Sequence, residues 1–196
     1  MKRVLHVGCG TKTLAKEPLF RGWQETRLDL DPAVKPDIVG SLTDLSAIGA
    51  ASMDAVFSSH NLEHLYAHDV PVALREFRRV LKDDGFAIVL VPDLEAAAQR
   101  IAEGRLHEPM YVSPAGPVTP FDMLYGYSPA LKASPLMAHK GGFTQKSLAA
   151  ALAAVFPVVS CSRDRHFNVR ALAFAKPMSR EDAQRAVEEL AKAAKV

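Results

Sequence analysis

Hydrophobic positions along the chain fall into short unbroken runs separated by stretches with helical spacing. Residues 4–7, 26–30, 37–39, 54–58 and 87–91 are β-rich and read as buried parallel strands, since a strand covered on both faces loses the in-and-out alternation. The helix-like stretches between them predict an α/β sandwich. Over residues 70–81, Val72, Leu74, Phe77, Val80 and Leu81 recur at helical spacing while Arg75, Arg78 and Arg79 turn elsewhere, which predicts a crossover helix. The basic cluster Arg75, Arg78, Arg79 and Lys82 suits a solvated face near a helix C-terminus better than an anion site. From residue 92 to 142 the pattern breaks at Pro92, Pro109, Pro114, Pro117, Pro120, Pro129 and Pro135. The same stretch carries Tyr111, Phe121, Tyr125 and Tyr127, so it reads as a lid-like insertion. Beyond it, Thr144 is placed to cap a helix containing Leu148, Leu152 and Val155. Two strands over 158–162 and 169–175 flank a polar connection suited to a hairpin. Ser179 and Asp182 then open a final helix carrying Ala183, Val187 and Leu190, within a C-terminal segment 177–196.

Composition narrows the function classes. With 48% hydrophobic and 23% charged residues, a chain of 196 residues supports one core and one domain. Lys plus Arg number 24 against 22 Asp plus Glu, a net charge of +2, so no nucleic-acid partner is expected. The apolar stretch that ends at Gly8 is too short for a signal core or a membrane span, which leads to the expectation of a cytoplasmic protein without membrane contact. Cys9 and Cys161 read as reduced thiols.

Candidate chemistry begins where the first strand ends. Gly8-Cys9-Gly10 forms a tight turn at the position where open α/β sheets bind ligands, and glycines there let a ligand approach the backbone. Asp29, closing the second strand, is spaced to accept hydrogen bonds from two ribose hydroxyls. The plainer alternative is a turn at Gly8 and Gly10 with Asp29 capping a loop. Thr13 stands where a dinucleotide loop has its third glycine, and no Gly-Lys-Ser or Gly-Lys-Thr frame follows. Pro18 and Gly22 leave little room for a full helix before the second strand.

Four ordered segments carry a resemblance: Val-Leu-His-Val-Gly-Cys-Gly-Thr at 4–11, Leu-Asp-Leu-Asp-Pro at 28–32, Met-Asp-Ala-Val-Phe-Ser-Ser-His-Asn-Leu-Glu-His at 53–64 and Arg-Val-Leu-Lys-Asp-Asp-Gly at 79–85. Together they resemble class I S-adenosylmethionine-dependent methyltransferases over residues 1–176. The resemblance implies a Rossmann-like three-layer α/β sandwich with a seven-stranded, mostly parallel sheet, an antiparallel last strand and helices on both faces. It also implies S-adenosyl-L-methionine as cofactor, wrapped at Gly8, Cys9 and Gly10, held by its ribose at Asp29 and packed at its adenine on Leu30. Ser41 and Leu42 match positions at the adenine edge, and Ser59 and His60 positions near the sulfonium. His6 matches the first-motif position that is usually acidic, Ser41 one that is usually Asp, and Lys12 one that is often glycine.

On that resemblance the chain is an enzyme that transfers a methyl group to a small-molecule acceptor, and the reading allows a homodimer. Candidate bases for an acceptor that must lose a proton are His60, His139 and Tyr125. Two other readings stay open. One is a degenerate cofactor- or partner-binding module, motivated by His6, Ser41 and the short first helix. The other is a metal-dependent hydrolase built on His60 and His64 in the run His60-Asn61-Leu62-Glu63-His64, which matches His-x-x-Glu-His; spacing marks no third ligand, and no metal is expected.

Overall fold

The computed structural model describes residues 1–194; Lys195 and Val196, the end of the expected C-terminal segment, lie outside the described residues. The strands β1 (Arg3–Val7), β2 (Gln24–Asp29), β3 (Ile38–Val39), β4 (Met53–Ser59) and β5 (Leu81–Pro92) form a parallel array in the order 3-2-1-4-5. The helix α1 (Val70–Val80) supplies the crossover from β4 to β5. Leu81 pairs with Met53, and pairing resumes only at Phe86 with Ala55, so residues 82–85 form a bulge at the head of β5.

The insertion is more regular than its prolines predict. It contains α2 (Leu94–Ala102), a two-stranded hairpin of β6 (Tyr111–Ser113) and β7 (Gly116–Val118), then α3 (Pro120–Tyr125) and α4 (Ser128–Ala133). Prolines sit at the first turns of α3 and α4, where a missing N–H costs nothing. Asp122 joins the two short helices. Its buried carboxylate accepts from Thr119 N (3.0 Å) and Oγ1 (2.6 Å) and from Ser128 N (2.9 Å) and Oγ (2.7 Å). Burial raises its pKa, but these four donors outweigh burial and hold it below the ordinary aspartate value. A depressed pKa contributes stability that is complete above the unfolded-state value and lost as pH falls through the native one. Asp122→Asn is therefore expected to destabilise this segment at neutral pH by about 1–3 kcal/mol. Amide exchange at residues 119–128 should accelerate by about tenfold, and unchanged exchange would contradict the assignment.

After the insertion come α5 (Gln145–Ala153), capped by Thr144 as expected, the hairpin β8 (Val158–Arg163) and β9 (Asn168–Phe174), and α6 (Arg180–Ala193), capped by Ser179. β9 runs antiparallel to β5, giving the sheet order 3-2-1-4-5-9-8. Asp164 closes the hairpin by accepting from His166 N (2.7 Å) and Asn168 N (3.0 Å). Successive side chains of the sheet divide between two faces. Leu5, Val56, Val89 and Ala171 meet α1 and α5 on one face; Val4, Ala55, Ile88 and Leu172 meet the other. The second face is covered thinly. Residues 11–23 make only two single turns of 3₁₀ helix, around Leu14 and Phe20, and α6 lays half-buried Ala186, Val187 and Leu190 beside them.

Candidate functional site

The carboxyl ends of β1, β2 and β4 share one edge of the sheet, where a cleft of about 750 Å³ opens. Its floor is the turn after β1. Gly8 and Gly10 both adopt left-handed backbone, φ +57° and +52°. A β-carbon on Gly8 would lie 1.8 Å from Asn61 Oδ1, because the Asn61 amide crosses the turn to donate to the Val7 carbonyl (2.9 Å). A β-carbon on Gly10 would meet nothing within 4 Å: it would occupy the cleft itself. Arg27 braces the turn from β2, donating to the carbonyls of Gly10 (2.7 Å), Lys12 (3.1 Å) and Lys35 (3.1 Å). Cys9 is buried, and burial pushes its thiol pKa up.

Asp29 faces the same space. Its carboxylate accepts from Gly10 N (2.7 Å) and Asp31 N (2.9 Å), one bond per oxygen, which leaves a lone pair on each for another donor. Leu30 stands 54% exposed beside it, and with Val34 and Leu42 it gives that end of the cleft an apolar flank. Ser41 also lines the cleft, its hydroxyl engaged by Thr43 Oγ1 at 2.8 Å.

His6 points to the thinly covered face, buried at the root of the cleft with Nδ1 2.8 Å from Glu25 Oε1 and its ring edge-on to Phe57. Burial, with the nearby charges of Arg27 and Lys12, lowers the His6 pKa despite Glu25. Glu25, despite its own burial, is held below the usual glutamate value by Thr13, His6 and the Leu14 N–H. Neutral histidine therefore donates to an ionised glutamate. Glu17, exposed, also lines the cleft.

The far end is built from the turn after β4. Ser59 and His60 line it, with His60 at φ +58°, a backbone region that a non-glycine residue occupies at a cost and that concentrates at functional sites. Ser134, Leu136, Met137 and Lys140 close this end. They are carried there because Lys140 N and Gly141 N both donate to the Glu63 carbonyl (2.8 and 3.0 Å).

Every residue expected at the cofactor (His6, Gly8, Cys9, Gly10, Asp29, Leu30, Ser41, Leu42, Ser59 and His60) lines this one cleft. Two candidate bases do not. Tyr125 packs at a tilt against Phe121, outside the lining, and His139 lies behind His64, ring centroids 4.9 Å apart, with Nδ1 bonded to the Met123 carbonyl at 2.9 Å. Burial lowers the His139 pKa. Tyr111 and Tyr127 pack with Ala97, Val118 and Met123 in the insertion's own small core. Arg27, Asn61, Glu17 and Glu25 escaped the sequence reading, because nothing in their spacing marks a brace whose partners arrive through the sheet.

Residues 5–89 match a family model described as a methyltransferase domain. Over those residues, less than half of the chain, it is similar to methyltransferase domains. No curated protein sequence matches it. Among solved structures, the CMeT domain of the citrinin polyketide synthase aligns with a TM-score of 0.59 and 16% identity, over 90% of this chain but only 47% of that one, so this chain spans about half its length. The 1,6-didemethyltoxoflavin-N1-methyltransferase of Burkholderia thailandensis aligns at 0.56 and 18% identity, over 89% and 71% of the two chains. The PH0226 protein of Pyrococcus horikoshii OT3 aligns at 0.62 and 13% identity, over 88% and 81%. At these identities the likeness is one of fold. The family's cofactor is S-adenosylmethionine. Its parts fit what lines the cleft: an open cradle at Gly10, a carboxylate with free lone pairs at Asp29 and an exposed apolar flank at Leu30. Among the described residues no helix is long and apolar enough to cross a membrane.

Proposed function

We propose that this methyltransferase acts on a small-molecule acceptor seated at the His60 end of the cleft. The observation that carries the reading is the convergence of Gly10, Asp29, Leu30 and His60 on one continuous space at the strand ends. S-adenosylmethionine, held by Gly10, Asp29 and Leu30, would supply an electrophilic methyl group on a sulfonium.

The chain's own residues do the rest by positioning. Asp29 would accept hydrogen bonds from the two ribose hydroxyls. Leu30, Val34 and Leu42 flank the adenine. Glu17 supplies the carboxylate that position 6 lacks, facing the ammonium end from beyond the glycine turn. His60, half-exposed at the cleft, takes the proton from an oxygen or nitrogen acceptor; Tyr125 and His139 lie outside the lining. Residues 134–140 act as the lid over the acceptor, with Leu136 and Met137 as the apolar surface that excludes water. The toxoflavin enzyme, described with 1,6-didemethyltoxoflavin and S-adenosylhomocysteine bound, supports an acceptor of this size class.

The test is formation of S-adenosylhomocysteine by the full chain against a panel of phenols, amines and heterocycles, with His60→Gln beside it. Turnover with at least one acceptor is expected, with kcat falling by about 10²-fold in the variant while cofactor binding holds. Cofactor binding without turnover on any acceptor would replace this reading with that of a binding module, whose motivation is His6 buried against Glu25.

A further inference from the structure

One buried group takes no part in the account above. The Glu63 side chain is 1% exposed, yet neither carboxylate oxygen has a hydrogen-bond partner. A lone carboxylate in a dry interior costs several kcal/mol unless a proton or cation compensates it. Among the described residues it forms no ion pair with lysine or arginine; the nearest imidazole nitrogen outside the cluster below is His60 Nδ1, 3.4 Å from Oε1 on a half-exposed ring.

Two further imidazoles converge on it. Glu63, His64 and His139 each place one ligand atom within 4.8 Å of the others. Both histidines already spend Nδ1 on the backbone: His64 donates to the Ala138 carbonyl at 3.0 Å and His139 to the Met123 carbonyl at 2.9 Å. Donation there leaves Nε2 as the lone-pair nitrogen, the same device that fixes tautomer and ring orientation in metal-binding histidines. Two imidazoles with a free Nε2 lone pair and an unpartnered carboxylate therefore share one small space. Zinc held at about 2.0–2.1 Å by such ligands draws them to about 3.4 Å apart, a closure within reach of side-chain rotation.

We propose that Glu63, His64 and His139 bind one divalent first-row transition-metal ion. Two imidazoles and a carboxylate suit zinc, manganese or iron. His64 lines the acceptor end of the cleft, so on the methyl-transfer reading the ion's remaining coordination positions favour acceptors that offer an oxygen or nitrogen lone pair. Sequence spacing could not mark this set, because His139 arrives from the far end of the insertion, pinned over the 62–64 turn by the bonds of Lys140 and Gly141 to the Glu63 carbonyl.

The experiment uses the untagged full chain, stripped with chelator and titrated with zinc and, separately, manganese, without cofactor or acceptor. Metal binding and methyl transfer therefore fail independently. The expected result is about one equivalent of zinc or manganese per chain, weakened at least about tenfold in His64→Ala, His139→Gln and Glu63→Gln and unchanged in His107→Ala. Thermal melts in the absence of metal establish that each variant is folded. No stoichiometric binding of either ion by the wild-type chain, or equal weakening in His107→Ala, overturns the site.

Discussion

Replacing Asp29 by alanine is expected to weaken binding of S-adenosylmethionine and S-adenosylhomocysteine by about 10²-fold or more. Two hydrogen bonds to a charged group, each worth about 1.5–3 kcal/mol, are lost together, and each 1.4 kcal/mol is a factor of about ten. The lower end of that range is the expected figure because the carboxylate is half-buried and partly engaged by Gly10 and Asp31. Loss of those two backbone partners also loosens the glycine turn, so Asp29→Asn belongs in the same series: it keeps one acceptor and should fall between alanine and wild type. Glu17→Gln should cost no more than about fivefold, since Glu17 is exposed and exposed charge pairs are worth under about 1 kcal/mol. Calorimetric titration of the four proteins checks the order; an alanine variant that binds like wild type removes Asp29 from the site.

The second large effect separates two glycines that look alike in sequence. Gly8→Ala places a β-carbon onto the Asn61 amide and on left-handed backbone. The strain is about 1–2 kcal/mol and the displaced Asn61 bond to the Val7 carbonyl adds about 1–3, so denaturation should shift by about 2–5 kcal/mol. Gly10→Ala carries only the backbone strain, because its β-carbon meets no atom within 4 Å. That variant should remain folded while cofactor affinity drops at least about tenfold, since the methyl group fills the cradle. Denaturant midpoints and binding constants for both variants decide it: a Gly10→Ala protein with unchanged affinity means the cofactor does not cross that turn.

How much of this was legible in the sequence depends on the range of the interaction. Elements defined by their own residues were legible. The runs that became β1, β4 and β9 announce themselves by hydrophobicity, and Thr144 and Ser179 mark the starts of α5 and α6 through side chains that reach only three residues. The helix α2 was missed because the proline-rich stretch around it hid a start signal: Asp93 caps Leu94–Ala102 by accepting from Glu95 N, and only Ala97 of that helix is buried. The bulge at residues 82–85 was invisible because register is set by β4, not by β5 alone. In the site, Gly8, Gly10 and Asp29 lie close to one another along the chain and their spacing carried their meaning. His139, a candidate base by sequence, instead lies behind His64, because its position depends on the insertion folding back over Glu63.

The claim on which the account turns is that the cleft at the ends of β1, β2 and β4 is a cofactor site. The most direct measurement is calorimetric titration of the purified, ligand-free wild-type chain with S-adenosylhomocysteine, which requires no knowledge of the acceptor. The account predicts one site per chain with a dissociation constant on the order of micromolar. Absence of binding at millimolar ligand would contradict it and leave a methyltransferase fold without its cofactor.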